Sequence, residues 1–242
     1  MSYQITKEYF PILESTRDLA EEYIITKKYD SNFLIVAETQ TKGKGRKDNE
    51  WISPKGGLWF SLVLKHLSAQ KSFTLFLGYC ILKTLKKLCD NSINDTDTFK
   101  IKWPNDIYLY EKKVCGLICT QHHVYGMTNI GIGLNTNIAM MPKYSDSIFN
   151  LLNISIDNDV YLSSILSCIF DELHIFEERG LSLFYDYYRC HDFLNNKLLN
   201  ISSGNEFYKG FYSGIKDDGG LLLVEENGQQ KAIYSGSISY SG

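Results

Sequence analysis

The sequence predicts an α+β protein, in which a mixed, largely antiparallel sheet carries packed helices and a small β-barrel follows at the C-terminus. Three observations predict this fold class. Segments with helical periodicity alternate with short apolar strands along most of the 242 residues. Residues 99–137 contain strands joined by turns that are too short for a parallel crossover. From residue 195 onward, short apolar runs alternate with turns rich in Ser, Gly and Asn.

The first third of the chain predicts two helices and two buried strands. Residues 15–18 read Ser-Thr-Arg-Asp, a helix N-cap signature, and apolar residues follow them at helical intervals. The apolar segments 32–37 and 57–65 predict strands on either side of a polar, glycine-containing loop. Residues 72–89 place their apolar side chains on one helical face and predict the second helix.

The rest of the chain predicts four antiparallel strands, two helices and the barrel. The four strands are separated by turns at 104–106, 111–113 and 125–126. An apolar stripe predicts a helix over 159–179 that ends at Gly180, and another helix is expected over 183–193. The barrel strands are expected at 198–201, 207–212, 221–224, 231–234 and 237–240. We therefore divide the chain into a catalytic domain, 1–194, and a small β-domain, 195–242.

Composition excludes several classes of protein. A net charge of −3, from 25 basic and 28 acidic residues, argues against a chain-wide nucleic-acid surface. No apolar run approaches the ~20 residues that span a membrane, and the N-terminus lacks the features of a secretory signal. Six cysteines are too few for a disulfide scaffold, and the five histidines show no zinc-site spacing. These observations predict a cytoplasmic protein with reduced thiols.

Residues 41–47, called the basic loop below, carry four cations and two glycines. Glycines let a backbone approach a ligand closely, and the cations can balance phosphate or carboxylate charge. The loop matches neither the P-loop nor the dinucleotide fingerprint. Trp51 follows it and could stack on a nucleobase. A solvated surface loop and a tryptophan buried in the core are the alternatives that this segment leaves open.

Three further segments have polar residues at turns or glycines inside strands. Asn105 and Asp106 follow a predicted strand and could hold Mg²⁺ beside phosphate oxygens, although such residues usually cap their own turn. Lys113 lies at the start of the next strand, and it is a candidate site residue if its side chain faces the same cleft. The Gly131-x-Gly133 pair inside a strand indicates either a bulge or a closely approaching ligand.

The order of these segments resembles that of the biotin–protein ligases, also called holocarboxylase synthetases, over essentially the whole chain. The resemblance implies the biotin/lipoate ligase-like catalytic fold with an SH3-like barrel. It further implies condensation of biotin with Mg²⁺-ATP to biotinyl-5′-AMP, and transfer of biotin to a lysine of a biotin carboxyl carrier protein domain. A homodimer is left open. The ordered motifs are Ser15-Thr16, Ala37 to Gln40, Gly43 to Arg46 with Trp51 and Ser53-Pro54, Lys102 to Asp106, Lys113 with Gly116, and Gly131 with Gly133 and Asn135.

The resemblance also assigns roles by position. Arg46 and Lys113 are the implied catalytic residues, and Asn105 and Asp106 the implied metal ligands. The implied biotin contacts are Ser15, Thr16, Arg17, Gln40, Lys44, Gly45, Arg46, Lys113, Gly116 and Gly131. The implied ATP and adenylate contacts are Gly43, Lys44, Arg46, Trp51 and Asn135.

The chain departs from the family pattern in several places, and other functions compete. Lys44 replaces the first arginine of the usual Gly-Arg-Gly-Arg, and Arg17 stands where a small polar residue is common. The loop continues with Lys-Asp-Asn-Glu where more basic residues and glycine are frequent. A lipoate–protein ligase and a non-catalytic biotin or adenylate sensor are the alternatives. A DNA-binding repressor is not expected, because only 14 residues precede Ser15.

Overall fold

The computed structural model describes residues 4–65, 72–89 and 99–241, and within them a seven-stranded sheet forms the centre of the molecule. Its strand order is β1-β2-β3-β7-β6-β5-β4, and only β1 and β2 pair in parallel among these neighbours. The strands are β1 (Thr6–Phe10), β2 (Phe33–Ala37), β3 (Leu58–Lys65), β4 (Phe99–Lys102), β5 (Asp106–Leu109), β6 (Lys112–His122) and β7 (Met127–Leu134).

Five α-helices accompany this sheet in the described part of the chain. Ser15 caps the first helix, because its hydroxyl accepts a hydrogen bond from the Asp18 backbone N–H at 3.3 Å. Gly180 ends the longest helix at a φ of 64°. The helices are α1 (Thr16–Ile25), α2 (Phe73–Cys89), α3 (Ile148–Leu152), α4 (Asn158–Arg179) and α5 (Tyr185–Cys190). None of them is long and apolar enough to cross a membrane.

The sheet separates two apolar cores. Side chains alternate between the faces of a strand, and all five residues of β2 are apolar because both faces are covered. Phe33 and Ile35 pack with α1 in the smaller core. Leu34 and Val36 belong to the larger core, which also contains buried side chains of α2 and α4. The central strands are therefore fixed on both sides, and the polar loops lie at their ends.

A second, five-stranded antiparallel sheet follows. Its strands are β8 (Leu198–Ser203), β9 (Glu206–Ile215), β10 (Leu221–Val224), β11 (Gln230–Ile233) and β12 (Ser237–Ser241), in the order β11-β10-β9-β8-β12. Leu199, Leu221 and Leu223 of this sheet join the larger core. The Trp103 indole N–H donates to the Gly219 carbonyl at 2.9 Å, which ties the two sheets together.

Most predicted elements are confirmed, with differences at the ends of the sheets. The fold class and the five C-terminal strands are confirmed, but β11 and β12 do not pair among the described residues, so the expected barrel is an open sheet. The edge strand β1 and the short helix α3 were not predicted, because both lack a clear apolar pattern. The division at residues 194 and 195 stays a prediction.

The predicted helix over 183–193 is wrong in its extent. A 3₁₀ turn, Ser182–Phe184, comes first, and α5 ends at Cys190. The chain then pairs with β4: the Ile101 N–H donates to the His191 carbonyl at 2.8 Å, and the Phe193 N–H donates to the Ile101 carbonyl at 3.0 Å. The pairing with a distant strand replaces the last helical turn, and this is not visible in local periodicity.

The cysteines agree with the expectation of reduced thiols. All six are free. Burial raises the pKa of Cys80 and that of Cys115 well above the ordinary value, so both thiols stay protonated and act as small apolar core residues.

Asp192 is a buried carboxylate between the two sheets. It is 7% exposed, and it accepts hydrogen bonds from the Tyr212 hydroxyl on β9 and from the Leu194 N–H, the latter at 2.9 Å. Burial raises the pKa of Asp192 to about 6, although the hydrogen bonds from Tyr212 and Leu194 favour the charged form.

The titration of Asp192 should make stability depend on pH. Its folded pKa of about 6 exceeds the value of about 3.9 for an unfolded aspartate, so the free energy of unfolding falls by roughly 3 kcal/mol as the pH rises between these values. Asp192→Asn removes this loss. Urea unfolding of both proteins should show the variant gaining about that amount relative to the parent from about pH 4 to about pH 7. A difference that does not change with pH would contradict the assignment.

Candidate active site

A cavity of about 420 Å³ opens where the two sheets and the basic loop meet. Its walls come from the N-terminus of α1, the basic loop, the β4–β5 hairpin, β6, β7 and the turn between β11 and β12. The predicted site residues that line it are Ser15, Thr16, Arg17, Gln40, Lys44, Gly45, Arg46, Trp51, Asn105, Asp106, Lys113, Gly116, Gly131 and Asn135. Segments far apart in sequence are thus brought into one cavity.

Gly43 is the one predicted site residue that does not line this cavity. Its carbonyl accepts a hydrogen bond from the Trp51 N–H at 2.8 Å. A Cβ atom built on Gly43 would lie 2.6 Å from Ser53 Oγ, so only glycine fits at this position. Gly43 therefore contributes to the conformation of the basic loop without lining the cavity.

One end of the cavity is a network of neutral polar groups at the N-terminus of α1. Ser15 and Thr16 are each 3% exposed. The Gln40 side-chain oxygen accepts from the Thr16 N–H at 2.8 Å and from the Thr16 hydroxyl at 3.1 Å, while its amide N–H donates to Ser53 Oγ at 2.8 Å. These bonds fix the orientation of each donor and acceptor, so this end suits an uncharged polar ligand group.

Arg17 lies next to this network. Its guanidinium donates to the Thr120 hydroxyl at 3.0 Å and forms an ion pair with Glu21 at 3.0 Å. The arginine that replaces a small polar residue of the family therefore lies along the cavity wall, above Gly131, with its Cδ 3.8 Å from the position of an added Cβ.

Three strand glycines form the floor of the cavity: Gly116, Gly131 and Gly133. The Trp51 indole lies against two of them, because a Cβ added to Gly133 would overlap its nitrogen and one added to Gly116 would come within 3.0 Å of its ring. The indole nitrogen is buried and has no hydrogen-bond partner among the described residues. The strand glycines do not mark a β-bulge between β6 and β7, since these strands pair there without a shift of register, with Gly116 opposite Gly133.

Both predicted catalytic cations line the cavity, and they contact neighbouring residues of the β4–β5 hairpin. Arg46 donates to the Asn105 side-chain oxygen at 3.0 Å and to the Gly236 carbonyl at 3.3 Å. Lys113 forms an ion pair with Asp106 at 2.7 Å, and its ammonium lies 5.0 Å from the centroid of the Trp51 ring. The acceptors of Arg46 are neutral oxygens, so its charge remains available to an anionic ligand.

The two predicted metal ligands have different partners. The Asn105 oxygen accepts from Arg46, and its amide donates to the Leu117 carbonyl at 2.5 Å. Asp106 presents a carboxylate, with one oxygen paired to Lys113. No group of three or more His, Cys, Asp or Glu side chains in the described ranges could hold a metal ion without a ligand's oxygens. The Asp106 carboxylate fits a magnesium ion that is also held by phosphate, and the Asn105 oxygen is engaged by Arg46; both metal assignments stay predictions.

Sequence reasoning did not assign a role to Lys102, which also lines the cavity. Its ammonium lies 5.2 Å from the ring centroid of Tyr108 and 4.8 Å from that of Tyr240. Burial lowers the pKa of Lys102; the Asp106 carboxylate opposes this shift, and the neighbouring Lys113 reinforces it. The position of Lys102 in the 102–106 motif was the sequence feature that could have identified it as a site residue. Lys47 also lines the cavity, and its place in the basic loop was a signal for it. Other lining residues gave none, because tertiary folding alone brings them here: Asn49, Glu50, Met141, Pro142, Tyr144, Gly236 and Ser237.

The glycine floor makes a prediction about Trp51. Gly133→Ala should displace the indole, lower the free energy of unfolding by about 1–3 kcal/mol and shift the Trp51 emission to longer wavelength. Gly131→Ala is the matched control, since its added Cβ meets its nearest atom at 3.8 Å. Emission is compared with that of Trp51→Phe, which isolates the contribution of this tryptophan. Equal spectra and stabilities for the two alanine variants would contradict this packing.

Comparison with known proteins agrees with this geometry. Residues 9–137 match the Biotin/lipoate A/B protein ligase family, and residues 200–240 match the Biotin protein ligase C terminal domain. The bifunctional ligase/repressor BirA of Bacillus subtilis is 30% identical over 255 residues, covering 95% of this chain and 72% of the relative. That of Salmonella typhimurium is 27% identical with the same coverage.

A solved structure extends the likeness to the whole fold. The biotin protein ligase from Aquifex aeolicus in complex with biotin and ATP superposes with a TM-score of 0.85 and 26% identity, covering 98% of each chain. The chain, with its cavity lined by the ordered motifs and its matching C-terminal segment, therefore belongs to the biotin/lipoate A/B protein ligase family, as a biotin–protein ligase.

Proposed function

We propose that the protein activates biotin with ATP and transfers it to a lysine of a carboxylase carrier domain. In the first step a biotin carboxylate oxygen attacks the α-phosphorus of ATP, the bond to the β-phosphate breaks, and pyrophosphate leaves. In the second, a lysine amine attacks the acyl carbonyl of biotinyl-5′-AMP, an amide forms and AMP leaves. The observation that supports this proposal is one cavity that joins the polar network of Ser15, Thr16 and Gln40 to the cations Arg46 and Lys113.

The neutral end suits the ureido ring of biotin. A cyclic urea offers one acceptor and two donors, and the network of Ser15, Thr16 and Gln40 supplies both kinds of partner without a charge. The absence of side chains on the glycine floor suits the close approach of a flat bicycle, with the Arg17 side chain bordering the space beside Gly131. Trp51 and Asn135 are proposed for the nucleotide side.

The cationic end suits the reacting groups. Two anions meet when the carboxylate approaches the α-phosphate, so the transition state gains from positive charge that is already in place. We assign this role to Arg46 and Lys113. Lys102, with its partly desolvated ammonium, is proposed to contact the leaving pyrophosphate. The basic loop over the mixed anhydride limits the access of water.

Magnesium is proposed to arrive with ATP as part of that substrate. The ion would supply charge neutralisation of the phosphates. Asp106 is the carboxylate of this cavity that can take part in holding it, and Lys113 orients that carboxylate through their ion pair.

The acceptor is proposed to be a biotin carboxyl carrier protein domain, because the biotin–[acetyl-CoA-carboxylase] ligase of Paracoccus denitrificans is 30% identical over 114 residues and its name specifies a carboxylase acceptor. The cytoplasmic location, the absence of DNA binding and the dimeric state stay predictions.

A lipoate–protein ligase is the second candidate. It is disfavoured by the polar network, since a dithiolane ring has no hydrogen-bonding groups for Gln40 and Thr16.

Incubation with Mg²⁺-ATP and either biotin or lipoate tests the assignment directly. Mass spectrometry should detect biotinyl-AMP and stoichiometric pyrophosphate with biotin, and a carrier domain added afterwards should gain one biotin. Efficient formation of lipoyl-AMP without biotinyl-AMP would favour the second candidate. Failure to form either adenylate would favour a non-catalytic sensor.

Lys113→Ala should reduce biotinyl-AMP formation by about 10²–10³-fold, because a preorganised charge at the acyl-phosphate is lost. The free energy of unfolding should fall by no more than about 1 kcal/mol, as for other ion pairs near the surface. Lys112→Ala is the control: this neighbour donates to the Lys143 carbonyl at 2.9 Å and does not line the cavity. A normal rate combined with a large loss of stability would assign Lys113 a structural role instead.

A further inference from the structure

Two hydrogen bonds join the basic loop to the C-terminal sheet across 190 residues of sequence. The Arg46 guanidinium donates to the Gly236 carbonyl at 3.3 Å, and the Lys47 ammonium donates to the Ser237 hydroxyl at 3.0 Å. Both acceptors belong to the segment 235–237, called the C-terminal turn below, which ends with the first residue of β12. The basic loop, which carries the proposed catalytic residue Arg46, is therefore hydrogen-bonded to the C-terminal sheet as well as connected to the seven-stranded sheet.

The C-terminal turn is a rigid support. Gly236 is buried, and a Cβ there would lie 2.7 Å from Ile201 Cγ2 and 3.1 Å from the Ser202 carbonyl oxygen of β8. Ser237 pairs with Ser202 at the start of β12. The Gly236 backbone and the backbone of Ser237 thus have fixed positions with respect to the C-terminal sheet.

The basic loop, by contrast, has little regular structure of its own. Its 3₁₀ turn contains Lys47 at a φ of 54° and a ψ of 39°, the left-handed region that is disfavoured for a residue with a side chain. Around the 3₁₀ turn, the backbone hydrogen bonds run from the Gly45 N–H to the Asn49 carbonyl at 2.6 Å and from the Asn49 N–H to the Arg46 carbonyl at 3.2 Å. The first half of the loop is held separately, by the ion pairs of Lys42 with Glu14 and of Lys44 with Asp18. The contact at Lys47 therefore bears on the second half of the loop, which carries Arg46.

We propose that the C-terminal turn holds the basic loop over the cavity, and that Ser237 is a positioning residue which acts through Lys47 and Arg46. This inference rests on the proposed function. While the turn holds the loop, Arg46 stays beside the acyl-phosphate and the reactive adenylate is retained until an acceptor lysine arrives. Loss of the contact lets the loop open and the adenylate leave.

Ser237→Ala tests the proposal together with Lys47→Met and the double variant. The readout is the rate at which preformed biotinyl-AMP leaves the protein in a chase with excess unlabelled adenylate. Each single variant should raise this rate about two- to ten-fold, the effect of one hydrogen bond. The double variant should exceed neither single one by much, because both substitutions remove the same bond.

Two matched variants separate positioning from a general loss of structure. Ser239→Ala removes an exposed hydroxyl from the same strand β12, and Ser237→Thr keeps the hydroxyl at the contact. Both should release the adenylate at the parental rate. An unchanged rate in Ser237→Ala, multiplicative effects in the double variant, or equal effects of Ser237→Ala and Ser239→Ala would overturn the proposal.

Trypsin cleavage of the ligand-free protein keeps this test independent of catalysis. The basic loop contains four cleavage sites, Lys42, Lys44, Arg46 and Lys47, and Ser237→Ala should be cut there faster than the parent and Ser239→Ala. If the parent makes no adenylate, the proposed function fails while this measurement still decides on the contact. Equal cleavage of all three proteins would show that the turn does not hold the loop.

Discussion

The arrangement of this protein depends on a single electrostatic constraint: several cations share one cavity before any anion arrives. Arg46, Lys102 and Lys113 all line it. Like charges in a partly desolvated space repel one another, and the repulsion grows as water is excluded. Fully pairing each of them with a carboxylate would relieve the repulsion and also remove the charge that the chemistry needs. The chain instead gives Arg46 and Lys102 uncharged partners, and of these three cations it pairs Lys113 with a carboxylate.

Each cation has a different partner. Arg46 is held by two neutral oxygens, Lys102 by aromatic rings, and Lys113 by the carboxylate of Asp106. These partners come from both sheets, which explains why the site does not lie on one element. Asn105 orients Arg46 only because its own amide is anchored to Leu117 on β6. The core of the larger sheet, buried on both faces, gives the rigidity that such a divided site requires.

The same organisation explains which features were accessible from sequence. Periodic segments with strong apolar patterns, such as β2, α2 and α4, were predicted correctly because local periodicity reports burial. The ordered motifs located the cavity, because nearly all of the residues they assign line it. The assigned roles themselves stay predictions. Features decided by distant partners were missed: the edge strand β1, the early end of α5, and the open C-terminal sheet.

The site shows the same limit at single residues. Asn105 was expected to bind metal, and a sequence gives no indication that its oxygen accepts from Arg46, 59 positions away. Gly43 was expected at the ligand, whereas close packing against Ser53 explains the glycine. The C-terminal turn has no motif of its own that points to the basic loop. In each case the deciding contact is a tertiary one between groups that have ordinary local roles.

Substitution of Lys102 tests directly whether the clustered cations of this cavity lower the stability of the ligand-free protein and strengthen anion binding. Lys102→Met keeps the length of the side chain and removes a cation whose pKa is lowered by burial. The ligand-free variant should have a free energy of unfolding higher by about 1 kcal/mol. It should bind magnesium pyrophosphate about ten-fold or more weakly, as measured by calorimetry. A variant that is less stable than the parent, or that binds pyrophosphate with parental affinity, would contradict this expectation.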